Sequence, residues 1–150
     1  MNLAEQINED IKKTMLARDK RKLEALRAIK AALLLAKTGK DVSSGEIPHE
    51  VEMQLLQKLV KQRRESAQIF TTQNRADLAE EETYQAGIIE EYLPKQMGED
   101  ELREVIKAIV AETGASSIKD MGKVMGLASK QLAGKADNKT ISNIVKEILQ

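Results

Sequence analysis

Apolar residues return every three to four positions along most of the chain, the period of helices that bury one face. Leu3, Ile7, Ile11 and Met15 mark a first amphipathic helix. Asp19 is placed to cap a second, with Leu23, Leu26, Ile29 and Leu33 inward and Lys37 as its last helical residue. Thr38 to Asp41 should end it, and Val42 to Pro48 should form a loop. Pro48 is tolerated in the first turn of a third helix, whose apolar face runs through Val51, Leu55, Leu56, Leu59, Val60, Ala67 and Phe70. Thr71 to Asn74 should break that helix, and Asn74 with Asp77 offers a capping pair. A fourth helix follows from about Arg75 to Glu91, with Leu78, Tyr84, Ile88 and Ile89 inward. No period-two alternation suggests a strand, and no internal repeat is evident.

Pro94 and Gly98 make the best boundary. Proline lacks an amide donor and disfavours helical geometry at Leu93, so the fourth helix must stop before it. Beyond it, Glu99, Asp100 and Glu101 suit the positive end of a new helix. Leu102, Val105, Ile106, Ile109 and Val110 carry the helical period, and Gly114 ends it. A final helix, capped by Asp137, turns Ile141, Ile144, Val145 and Ile148 inward. The expectation is an all-α protein. Residues 1–95 would form an N-terminal unit of about four helices, and residues 96–150 a three-helix subdomain.

Between the fifth and last helices lies a segment unusually rich in glycine and lysine. Ser117 and Asp120 have capping-box spacing, so a helix should begin near Ile118. Met121, Val124, Met125, Ala128 and Leu132 form its apolar stripe, while Gly122, Gly126, Ser129 and Ala133 form a stripe of small residues. Each glycine costs about 1 kcal/mol relative to alanine, which suggests close approach by another surface. Lys119, Lys123 and Lys130 border that stripe. One reading is that the glycines admit a neighbouring helix while the lysines stay solvated. The other is that a smooth, cationic surface receives a polyanion such as RNA. On propensity and charge alone the packing reading takes precedence.

This cassette, Met121 to Gly126 closed by Gly134, Lys135, Ala136 and Asp137, resembles the C-terminal signature of the GatB/YqeY family. The resemblance continues through Lys61 to Ser66, Arg75 to Leu78, and Tyr92 to Met97. Four pieces in this order make it specific, and it covers nearly the whole chain. Gly98 departs from the helix-capping serine often found there. The resemblance implies a two-part helical protein, similar to the free-standing YqeY-like proteins. It is also related to the tail domain of the B subunit of the tRNA-dependent amidotransferase, where the tail helps to hold tRNA. It implies no reaction for the free-standing proteins.

Composition narrows the chemistry. The 150-residue chain is 41% hydrophobic, 32% charged and 2% aromatic, with no cysteine, which excludes disulfides, thiol chemistry and cysteine-ligated metal. No segment approaches the ~18 apolar residues of a membrane span, and no secretory leader is visible. A cytoplasmic protein without a membrane partner is expected. His49 stands beside Pro48 without a second ligand type and reads as a surface residue. Ser66, Ser116 and Ser117 have no histidine partner in a nucleophile motif, and none of the glycine-lysine pairs completes a phosphate loop. No catalytic residue, metal site or cofactor is therefore nominated. An amidotransferase role would come only by association with partner subunits.

Charge is segregated despite a formal net charge of zero. Residues 10–30 are basic and residues 75–91 acidic, so neighbouring helices are expected to neutralise each other. Two cationic surfaces remain as candidate RNA contacts. One joins Lys119, Lys123, Gly126 and Lys130 with Lys135 and Lys139 at the last helix start, where free amides attract phosphate but Asp137 competes for them. The other is Lys58, Lys61 and Arg64 on the outer face of the third helix, with Arg63 expected to pair with a carboxylate of the fourth. Few aromatics argue against base stacking, so recognition should read backbone and shape, as for tRNA or another structured RNA. A protein partner docking on Gly122, Gly126 and Ser129 is the alternative.

Overall fold

The structure is a computed structural model that describes residues 2–38 and 46–150. The expected loop after Thr38 lies largely outside the described residues. Among the described residues every regular element is helical: α1 Leu3–Leu16, α2 Lys20–Lys37, α3 His49–Thr72, α4 Ala76–Glu90, α5 Glu99–Thr113, α6 Met121–Gln131 and α7 Asn138–Leu149. A 3-10 turn, Ile118–Asp120, precedes α6. The chain divides into two compact units, Met1–Leu93 and Pro94–Gln150.

In the first unit α1 packs on α2, and α4 packs on both α2 and α3. A capping box that the apolar pattern does not reveal starts α1. The Glu5 amide donates to Asn2 Oδ1 at 2.8 Å, and the Glu5 carboxylate accepts the Asn2 amide. Ile7 is fully buried on α1, but Met15 is 54% exposed. A spacing of four overshoots the 3.6-residue turn by about 40° per step, so Met15 has rotated off the inner face. Thr14 takes that place, its hydroxyl donating to the Asp10 carbonyl at 2.6 Å. Asp19 caps α2 by accepting the Lys22 amide, and Leu26, Ile29 and Leu33 are buried as expected. On α3 only Met53 and Leu56 are buried. On α4 the buried residues are Ala79, Ala86 and Ile89, while Leu78, Tyr84 and Ile88 are half-buried.

Two helices of this unit, α1 and α3, are closed by left-handed residues. At Arg18 (φ 58°) the next amide, Asp19, reaches back to the Thr14 carbonyl, while the Arg18 amide reaches Met15. Asn74 (φ 59°) closes α3 in the same way, with Arg75 bonded to Phe70 and Asn74 to Thr71. That geometry overturns the expected Asn74–Asp77 cap. Asn74 ends one helix instead of starting the next, and the Asp77 carboxylate sits with the Arg75 guanidinium at 3.4 Å, which holds it below the usual carboxylate range.

The second unit is a three-helix cluster around Leu102, Ile106, Ile109, Val124, Ala128, Leu132, Ile141, Ile144, Val145 and Leu149. Leu149 belongs to this core, whereas the expected Ile148 is only partly buried. Gly114 (φ 72°) closes α5 with the same paired bonds, Ala115 to Val110 and Gly114 to Ala111. The expected Ser117–Asp120 box does not form, since the Ser117 side chain makes no cap hydrogen bond. Asp120 instead accepts the Ser116 amide at 3.0 Å, and the turn tightens before α6 begins at Met121.

The segment after Pro94 is anchored within this unit. Gln96 Nε2 donates to the Gly134 carbonyl at 2.7 Å, and the Met97 amide donates to the Lys135 carbonyl at 2.9 Å. The Tyr92 to Met97 motif thus has a mechanical reading at both ends. Its Tyr92 hydroxyl donates to Asp10, tying the end of α4 to α1, while Gln96 and Met97 hold the turn between α6 and α7.

Candidate nucleic-acid interface

Helix α6 exists because its apolar positions pack inward, with Val124 and Ala128 fully buried. The opposite face is Gly122, Gly126 and Ser129 at i, i+4 and i+7. A β-carbon placed on Gly122 or Gly126 would meet nothing within 4 Å. Among the described residues of this unit no helix uses these glycines to come close, so the packing reading finds no partner helix there. The glycine face is open. Lys119, Lys123 and Lys130 are exposed along its border.

The ion pairs of this unit among the described residues join Arg103 to Glu99 and Glu147, and Lys107 to Glu104. None engages the α6 lysines. Lys135 is half-buried in the turn after α6, with its carbonyl engaged by Met97. Lys139 is exposed in the first turn of α7, where Asp137 accepts its amide at 3.3 Å. The carboxylate thus occupies an amide that a phosphate would use, and the lysine side chains carry the attraction there.

The second cationic group lies in the other unit. Lys58 and Lys61 are exposed on α3. Arg64 is committed to the Glu90 carboxylate of α4. Arg63, expected to pair with a carboxylate, instead donates to the side-chain oxygen of Gln85 at 3.1 Å and to the Leu59 carbonyl. The roles of the two arginines are exchanged: Arg64 makes the ion pair and Arg63 a neutral hydrogen bond.

Neutralisation of the basic hairpin by α4 is specific to Arg21. Its guanidinium bonds Glu80 at 2.8 Å and Glu81 at 3.0 Å, and lies 4.0 Å from the centre of the Tyr84 ring. The Glu80 hydrogen bond raises the arginine pKa further. His49 is exposed at the start of α3. The nearby Glu52 carboxyl is raised by partial burial, which outweighs the attraction of His49. Among the described residues no cluster of three histidine, aspartate or glutamate side chains is placed to hold a metal. No described helix is long and apolar enough to cross a membrane.

These features define a class: an all-helical protein of two compact units, the second presenting an open, lysine-bordered helix face. The chain belongs to the YqeY-like family, whose model, described as Yqey-like protein, matches residues 4–149. It is also similar to "Altered inheritance of mitochondria protein 41, mitochondrial" of Pyrenophora tritici-repentis (strain Pt-1C-BFP). The two are 29% identical over 149 residues, covering 95% of this chain and 78% of that relative.

Proposed function

We propose that the chain is a non-catalytic accessory protein of the cytoplasm that binds tRNA or another structured RNA through the open face of α6. The observation that carries this reading is the pairing, on one helix, of two sterically free glycines with exposed lysines that no ion pair among the described residues engages. Without β-carbons the helix backbone can approach a phosphate backbone closely, and the ammonium groups of Lys119, Lys123 and Lys130 then lie at its edge. Lys135 and Lys139 extend the cationic surface around the next helix start. Lys58 and Lys61 offer a second contact on the other unit, to which Arg64 contributes only if it leaves Glu90. The scarcity of aromatic residues, 2% of the chain, favours shape over base stacking.

The openness of Gly122 and Gly126, beside the half-buried Ser129, also favours a second reading, in which a partner helix seats on the same face. Salt separates the two. Titration of purified protein against tRNA and a single-stranded RNA of equal length, at rising salt, should show preference for tRNA and affinity falling steeply with ionic strength. Absence of binding, or salt-insensitive binding, would remove the RNA reading.

A further inference from the structure

The tip of the α1–α2 hairpin combines features that the RNA reading does not use. Leu16, the last residue of α1, is 86% exposed, and Met15 beside it is 54% exposed. Leu16 follows Lys12 by four residues and Lys13 by three, so all three share one helix face, pointing away from Ile7 and Thr14 in the core. Arg18 and Lys20 are exposed just beyond, and Lys22 is half-buried.

The acidic groups nearby are mostly engaged. Asp19 caps the Lys22 amide, Glu80 and Glu81 face Arg21, and Asp77 faces Arg75. Glu9, exposed one turn before Lys12 and Lys13, and Glu24, exposed one turn after Lys20, are the exceptions. Among the described residues no ion pair engages Lys12, Lys13, Arg18, Lys20 or Lys22. Arg18 also holds a left-handed conformation (φ 58°) that disfavours side chains and suits glycine. An arginine at that position adds an exposed cation to the turn.

We propose that this tip docks peripherally on an anionic lipid bilayer, with Leu16 and Met15 entering the interface and the surrounding cations meeting lipid phosphates. An RNA surface would satisfy the cations but leave the apolar pair in water. A bilayer matches both, since its headgroup layer is anionic and the region beneath it apolar. The left-handed closure at Arg18 ends α1 immediately after the pair, which stays exposed to a surface that meets the turn. Such attachment needs no membrane-crossing helix, and it departs from the expectation of no membrane partner.

The test uses the full chain and vesicles of phosphatidylcholine, with or without phosphatidylglycerol. The chain has no tryptophan, so Leu16→Trp introduces a single fluorescent reporter at the tip. Co-sedimentation should occur with the anionic vesicles only, and the emission of L16W should shift to the blue with them. Lys12→Gln and Lys13→Gln should each lower the partition coefficient by about fivefold. Leu16→Ser should lower it at least about tenfold, with an unchanged circular dichroism spectrum because the side chain is exposed. No co-sedimentation, equal binding to neutral vesicles or an unshifted emission would overturn the proposal. So would tip variants that weaken tRNA binding while vesicle binding stays at the parent level, which would assign the tip to RNA.

Discussion

Replacing Gly122 and Gly126 by alanine separates the cost of these residues from their use. Both sit in α6 with helical backbone, and neither would bring a new β-carbon within 4 Å of a neighbour. Overpacking is absent, so the helix-propensity gain of about 0.8–1 kcal/mol per site should appear in full. Together the two changes should stabilise the second unit by about 1.6–2 kcal/mol. For a unit spanning residues 94–150, that corresponds to a melting shift of roughly 6–16 °C. Urea unfolding followed by circular dichroism should show a higher midpoint at unchanged slope. Gly87→Ala in α4 is the control, because that glycine is equally open; it should stabilise by a similar amount and leave tRNA affinity alone. Gly126→Leu should also stabilise the helix yet block close approach of RNA. A fall in stability for either alanine variant would mean that something in the chain packs on this face, and the reasoning would fail.

Gly114→Ala should destabilise by about 1–2 kcal/mol: φ is 72° and no neighbour crowds the new methyl group, so the loss is backbone strain, readable in the same urea titration. Tyr92→Phe should cost about 1 kcal/mol by removing the hydroxyl that donates to Asp10. Burial and that hydrogen bond raise the Tyr92 pKa in the folded state, so its stabilisation is complete below the unfolded tyrosine value of about 10 and fades as pH rises above it. The phenylalanine variant should therefore lose less stability than the parent between neutral and strongly alkaline pH, with Tyr84, also raised by burial, supplying the remainder. Limited trypsin digestion should cut first after Lys95, exposed beside the boundary between the compact units; initial cleavage inside α3 would contradict an independent pair of domains.

The helices were legible because their apolar periods are long and uninterrupted. Lys37 as the end of α2, Gly114 as the stop of α5 and Asp137 as the cap of α7 follow from residue chemistry alone. Position within a helix was less legible where one four-residue spacing repeats, as at Met15, or where alanines such as Ala79 and Ala86 carry the burial. Left-handed closure by Arg18 carries no glycine signal, and Asn74 serves both helix starts and helix ends, so its side was ambiguous. At the candidate interface, the glycine and lysine stripes were visible, but whether a neighbour filled the space beside Gly122 and Gly126 depends on tertiary packing. The exchange of roles between Arg63 and Arg64 has the same origin, since adjacent residues on α3 differ in direction by about 100°.

The most direct measurement compares tRNA binding by the parent and by the triple variant Lys119→Gln, Lys123→Gln, Lys130→Gln across a range of salt concentrations. Glutamine preserves helical propensity, so helix content is the internal control. If these lysines neutralise phosphates, affinity should fall, and the slope of log affinity against log salt should flatten by about 0.7–0.9 for each phosphate that is no longer neutralised. Binding by the triple variant at parental affinity and parental slope would contradict the account.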